Sequence, residues 1–349
     1  MSRVNRRRVL IAASAMLAPV PWAQAADITG AGATAPYVLY AMWAEAYRKA
    51  SGIGLDYQAR GSGFGVQQIM AKRVTFGASD APLKFDQLKE AGLVQFPVIL
   101  AGVVLAVNLK AVTDGQLVLD GATAAQIYLG TITSWNDERI QKLNPTLTLP
   151  AQAIVPVYRA DASRNTLLFT SYLSRKHIRF SDTVGTSTVV HWPVGIGTKG
   201  GSENVASVVA VTDGAIGYED FSYARMKLLA CAQLVNKAGK RVRPSIESFQ
   251  AAAASADWAH APGYDLLLSD QPGEASWPIT GASFILMQAN PADPTATAEA
   301  LKFFSWAFSN GAQIARDLDC APLPANLIQS VRATWVSQIR PLPVRRPQA

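Results

Sequence analysis

The 349-residue sequence predicts an α/β protein of two domains. Three observations carry that expectation. Strand-like and helix-like patterns alternate along the chain, as they do when helices pack on a largely parallel sheet. Roughly 320 residues remain once an export leader is set aside, more than one hydrophobic core usually accommodates. The apolar run PVILAGVVLAVNL (97–109) is long for one ordinary strand and contains Gly102, so it reads as two strands or as one strand crossing between domains.

The leader is the first element. Three arginines, Arg6 to Arg8, precede the apolar stretch VLIAASAMLAPVPW, and Ala23-Gln-Ala25 supplies a cleavage site, the pattern of a signal peptide over 1–25. Asn5-Arg-Arg-Arg also resembles a twin-arginine signal; either export route fits and both lead out of the cytoplasm. The leader holds four of the 32 basic residues and none of the 25 acidic ones, so without it the formal charge drops from +7 to +3. The basic balance is therefore mostly a targeting feature, which argues against a nucleic-acid partner. No cysteine near the cleavage point offers a lipid attachment, and no later apolar run approaches the roughly 20 residues that span a bilayer. Cys231 and Cys320 could form a disulfide if the fold brings them together.

After the leader, ADITGAGA opens as a strand, PYVLYAMWAEAYRKAS (36–51) has helical periodicity, and GLDYQA (54–59) is extended. Helix-like GVQQIMAKR, strand-like TFGAS and helix-like DQLKEAG follow, and then the long apolar run. Beyond it come helix signals in TAAQIYLG and NDERIQKLN, the strand AIVPVY (153–158), the loop RADASRNT (159–166) and the helix LLFTSYLSRK. A glycine-rich passage, VGIGTKGGSENVASVVAVTDGAIGY (194–218), precedes the strand SFILMQA and two C-terminal helical segments. The tail PLPVRRPQA is proline-rich and expected to fray.

Four loops share one design, in which an extended segment ends in small or hydroxyl residues and a helix pattern begins. They contain Thr34-Ala35, Arg60-Gly-Ser62-Gly, Ser79-Asp80, and Ser163-Arg164-Asn165. Any one of them can be a plain N-cap. Unpaired backbone N–H groups and the helix dipole also make such starts anion sites, and four in one chain make that reading worth following. Other motifs are weaker. Gly30-Ala-Gly32-Ala-Thr-Ala35 fits a dinucleotide fingerprint but has little else of that motif around it, and Gly195 to Gly200 lacks P-loop spacing and reads as a turn. His177, His191 and His260 show no metal-ligand spacing, and Arg60 occupies the glycine position that a nucleophile elbow at Ser62 would need. No catalytic base, metal or cofactor is expected. KFFSWAF reads as a buried helix face.

The sequence as a whole resembles the periplasmic phosphate-binding component of bacterial phosphate ABC transporters, the PstS family. ITGAGAT (28–34), the YQ and GSG of 57–63 with VQQI, FGASDAPL (76–83), QFPVILAGVVLAVNL (95–109), RADAS (159–163), FTSYLS, HWPVGIG, GAIGY, WPIT and LKFF carry the resemblance across nearly the whole exported chain. It implies a type II periplasmic binding protein, two α/β lobes joined by crossing hinge strands. Lobe I would be 26–105 plus 279–341 and lobe II 106–278, with 342–349 a tail. Position by position, Thr34, the Ala35 backbone, Ser62 and Asp80 would meet phosphate from the first lobe, and Arg159, Ser163, Arg164 and Asn165 from the second. Asp161 would either pair with Arg159 or serve as a helix-start acid. The implied partners are hydrogen phosphate and a membrane-embedded ABC permease, the implied place the periplasm, and the implied state a monomer without enzymatic activity. Asp80 is the informative residue, because a carboxylate facing an anion is tolerable only if the ligand brings a proton, which hydrogen phosphate has and sulfate lacks.

Two departures stand out. Arg164 and Asn165 replace the family's glycine and threonine, and Ala35 replaces a bulky aromatic residue. Arg164 could add charge to the pocket, point to solvent, or fill part of the cavity. These changes keep open a PstS-like paralogue that binds another oxyanion or a phosphorylated compound, or one that serves a non-transport interaction.

Overall fold

The computed structural model describes residues 28–110 and 112–340; the leader and the C-terminal tail lie outside the described residues. In chain order the first strands are β1 (Ile28–Gly32), β2 (Leu55–Ala59), β3 (Phe76–Ser79) and β4 (Leu93–Val107), followed by β5 (Val118–Leu119), β6 (Val155–Arg159), β7 (Ile196–Thr198) and β8 (Ala215–Asp220). Four more complete the set: β9 (Ala230–Cys231), β10 (Gln233–Val235), β11 (Arg241–Val242) and β12 (Thr280–Gln288). The main sheet runs β2-β1-β3-β12-β4-β8-β6-β7, with β9 also on β4, and β11-β10-β5 form a small second sheet.

The long apolar run is one continuous strand, and its two halves have different neighbours. Leu93–Gly102 pair antiparallel with β12, while Val103–Val107 pair antiparallel with β8. Residues buried on both faces explain its unbroken hydrophobicity, since every position but Ala101 is buried. The register slips between Ser283 and Phe284, where Ile99 and Pro97 are the facing residues, so Val98 is the extra residue of a bulge. Proline has no N–H for the ladder and is placed where the ladder is already interrupted. On one side of β4 lie the parallel strands β1, β2 and β3, and on the other the parallel strands β6, β7 and β8.

The helices cover both parts. On the first, α1 (Tyr37–Ser51), α2 (Ser62–Met70) and α3 (Phe85–Ala91) follow the first three strands. On the second are α4 (Gly121–Tyr128), α5 (Glu138–Leu143), α6 (Arg164–Lys176), α7 (Ile178–Thr183), α8 (Ser202–Val211) and α9 (Phe221–Met226). Helices α10 (Ile246–Ala254), α11 (Pro294–Asn310), α12 (Ala312–Asp317) and α13 (Ala325–Gln338) complete the chain. Phe303 and Phe304 of KFFSWAF are fully buried, with Phe304 edge-on to Phe76 and Phe96. In the second part, Tyr128, Phe169, Trp192 and Tyr218 pack ring to ring. Among the described residues no helix is long and apolar enough to cross a membrane.

Several local expectations are corrected. The glycine-rich segment read as a turn contains β7, paired in parallel with β6 and bounded by Gly195 and Gly200 at positive φ. Thr34 does not cap α1, whose N-cap is Pro36. Asp80 does not open a helix either, because the next one starts at Phe85. The pairing left open for Cys231 and Cys320 is not made: both are free thiols.

Candidate functional site

Parallel strands end with their carboxyl termini on one side of a sheet, and the loops that follow them gather there. Here those loops line a cleft of about 320 Å³ bounded by Thr34, Ala35, Gly61, Ser62, Asp80, Arg159, Ala162, Ser163, Arg164, Asn165, Gly201, Ser202, Asp220 and Tyr223. All eight residues singled out from the sequence as anion contacts are brought together in it.

On the first side, close approach of β1 and β3 sets the loops. A Cβ on Gly32, at φ +140°, would meet the Ala78 carbonyl oxygen at 2.1 Å, so only glycine lets these strand ends sit this near. The Ala33 N–H donates to Ala78 at 3.0 Å, and the Tyr57 hydroxyl holds the Ala33 carbonyl at 2.6 Å. Ser62 Oγ accepts from the Asp80 N–H at 3.0 Å, which leaves its own proton for another acceptor. Asp80 Oδ1 accepts from Ser283 Oγ at 2.6 Å. Burial pushes the Asp80 carboxyl up; the Arg164 charge and the Ser283 bond oppose this, and Asp220 adds to it.

On the second side, Arg159 ends β6 and grips Asp161 with a bidentate fork, Nε to Oδ1 and Nη2 to Oδ2, both at 2.7 Å. Bonding to Arg159 holds the Asp161 carboxyl low despite partial burial. Ser163 caps α6, its Oγ accepting from the Asn165 N–H at 3.1 Å. Its hydroxyl proton faces no protein acceptor among the described hydrogen bonds.

Arg164 does not point to solvent. Its side chain is 9% exposed and lies across the cleft, with Nη2 bonded to Asp220 Oδ1 and Nη1 3.7 Å from Asp80 Oδ1. An arginine seldom sits this deep without carboxylates to hold it, and the two aspartates supply them. Asn165 Nδ2 donates to Ser202 Oγ and Asp220 Oδ2, both at 2.9 Å, and Ser202 Oγ donates to Asp220 Oδ2 at 3.0 Å. Ala35 and Arg164 also line a second, smaller cavity of about 60 Å³ that shares Asp220 and Tyr223 with the cleft.

Sequence reasoning missed Asp220, Ser202 and Ser283. Ser202 had a signal: Gly200-Gly201-Ser202 opens α8 with the same small-and-hydroxyl design as the other loops. Asp220 follows the GAIGY strand without a glycine or hydroxyl to mark it, and Ser283 sits inside β12, so neither carried a local signal.

Comparison with known proteins fixes the family. Residues 18–311 match the model of a PBP superfamily domain. The phosphate-binding protein PstS of Pasteurella multocida is 46% identical over 317 residues, covering 91% of this chain and 92% of that protein. That of Haemophilus influenzae is 45% identical over 324 residues, covering 93% and 97%.

The chain belongs to the PstS family.

Solved structures agree on the fold. An ABC-type phosphate transport receptor from Vibrio cholerae matches with a TM-score of 0.56 at 17% identity, over 85% of this chain and 100% of that one. A phosphate ABC transporter substrate-binding protein from Clostridium perfringens, solved with bound phosphate, matches with a TM-score of 0.57 at 18% identity, over 85% and 99%. The fold is that of a type II periplasmic binding protein. Within this PstS-family protein, Arg164 and Asn165 stand where the resemblance implies a glycine and a threonine. Both replacements bond to the same residue, Asp220.

Proposed function

We propose that this PstS-family protein is an extracytoplasmic receptor that captures inorganic phosphate in the cleft and delivers it to an ABC permease. The observation that carries this reading is the meeting of hydroxyls, a forked arginine and the Asp80 carboxylate at the carboxyl ends of strands from both sides of β4. Thr34, Ser62, Ser163 and the free N–H groups of Arg159 donate to phosphate oxygens. Asp80 accepts the proton of hydrogen phosphate. Asp161 holds the Arg159 fork in place. Contacts from both sides exist together only when the two sides approach, so the ligand favours the closed arrangement.

His177, His191 and His260 do not line the cleft. The protein acts by capture and release, as a monomer in the periplasm after removal of residues 1–25, and no bond is broken. Calorimetric titration of ligand-stripped protein with phosphate, sulfate, arsenate and a phosphate monoester tests the reading. Tight binding of phosphate with little response to sulfate is expected, and no heat with phosphate sinks it. Preference for the ester would instead point to the small cavity beside Ala35 as room for a substituent.

Asp80→Asn isolates the acceptor. An amide donates where the carboxylate accepts, so sulfate is no longer rejected, and the phosphate-over-sulfate ratio is expected to fall about tenfold or more. An unchanged ratio removes Asp80 from this role.

A further inference from the structure

Asp80 discriminates only while it has a lone pair to offer and a charge to repel a proton-free anion. The structure places a guanidinium beside it that threatens both. Arg164 Nη1 stands 3.7 Å from Asp80 Oδ1, close enough to attract it but beyond hydrogen-bond reach. What restrains Arg164 is Asp220, which takes Nη2 in direct contact.

Asp220 is itself fixed from several directions. Its backbone lies in the ladder opposite Val103 of β4, the strand shared by both halves of the sheet. Its other oxygen receives Asn165 Nδ2 at 2.9 Å and Ser202 Oγ at 3.0 Å. Arg164 Nε and Nη2 each reach Asn165 Oδ1 at 3.3 Å, so Asn165 bridges the pair. The residues that depart from the family pattern at 164 and 165 therefore work as one unit, and the carboxylate that organises them is Asp220.

We infer that Asp220 is a specificity-determining positioning residue: by holding Arg164 it keeps the guanidinium from closing onto Asp80, and so leaves Asp80 able to demand a proton from the anion. Without Asp220, Asp80 is the one carboxylate within 4.0 Å of Arg164 among the described residues, and attraction across a poorly solvated gap draws the guanidinium the remaining distance. Asp80 would then be neutralised and its lone pairs occupied. A proton-free dianion such as sulfate would lose its main reason for rejection. This inference rests on the phosphate-receptor reading of the cleft.

The test compares phosphate and sulfate affinities, by calorimetry on ligand-stripped full-length mature protein, for the unsubstituted form, Asp220→Ala, and Arg164→Gly/Asp220→Ala. The single variant is expected to lose about tenfold or more of the phosphate-over-sulfate ratio. The double variant is expected to regain it to within about threefold, at lower absolute affinity for both anions, because the cation that capped Asp80 is gone. A merely structural Asp220 would weaken both anions together, and deleting a second buried side chain would not restore selectivity. A D220A variant as selective as the unsubstituted protein, or a double variant no better than the single one, overturns the inference. If thermal melting shows that D220A does not fold, Asp220→Asn and Arg164→Gly/Asp220→Asn carry the same comparison, since the amide removes the charge that competes for Arg164. Absence of phosphate binding by the unsubstituted protein sinks the proposed function and this inference with it, whereas selective binding that survives D220A overturns the inference alone.

Discussion

Arginine 159 replaced by alanine is expected to weaken phosphate binding by about two orders of magnitude or more, roughly 3 kcal/mol. Two of the N–H groups of Arg159 are committed to Asp161 at 2.7 Å each, and its side chain is only 11% exposed. A guanidinium has five N–H donors, so three remain for an anion. The substitution removes these and leaves the Asp161 carboxylate beside the cleft without its partner, an unneutralised negative charge that repels an anion. Arg159→Lys keeps the charge but not the fork. It cannot hold Asp161 and the ligand in one plane, and a loss of about tenfold is expected. Calorimetric titration with phosphate checks both. Binding by R159A within about threefold of the unsubstituted protein would take Arg159 out of the site.

The other large effect concerns stability and lies next to the site. Glu219, fully buried on β8 opposite Val104, has neither carboxyl oxygen bonded to a partner among the described residues. Burial, aided by the adjacent Asp220 charge, pushes its carboxyl up to about 9. The folded protein therefore keeps this proton while the unfolded chain releases it near the usual value of 4.5. A raised acid contributes its full share below the unfolded pKa. Between about 4.5 and 9 the native state binds the extra proton, so stability falls with rising pH by about 1.4 kcal/mol per unit. Glu219→Gln replaces the protonated carboxyl by a neutral amide of the same shape. It is expected to leave stability nearly unchanged at pH 4 and to raise it by about 3 kcal/mol at pH 7, with a larger gain at pH 8. Denaturant midpoints of both proteins across this range give the answer, and a gain independent of pH would mean that Glu219 is not held protonated.

The candidate site was legible in the sequence where local chemistry marks it. Hydroxyl and glycine residues at strand ends betray themselves, because a strand that stops at a small residue before a helix leaves backbone donors exposed; Thr34, Ser62 and Ser163 were visible for that reason. The doubly buried β4 was visible as an unbroken apolar run. Pairing partners were not visible. Asp220 and Ser283 meet Arg164 and Asp80 across 56 and 203 residues of chain, and no periodicity or spacing encodes a contact at that separation. The turn expected around Gly195 to Gly200 failed similarly: three residues between glycines have little strand signal of their own, and only the waiting edge of β6 makes them β7.

By itself, then, the sequence determined the alternating α/β architecture, the identity of the loops that converge and the resemblance to the PstS family, because patterning, turn chemistry and motifs are local properties. Tertiary structure alone decided where Arg164 goes. An arginine beside a helix start can reach water or turn inward with equal ease, and what turns it inward is a pair of carboxylates, Asp80 and Asp220, that two different strands carry to the same side of the sheet.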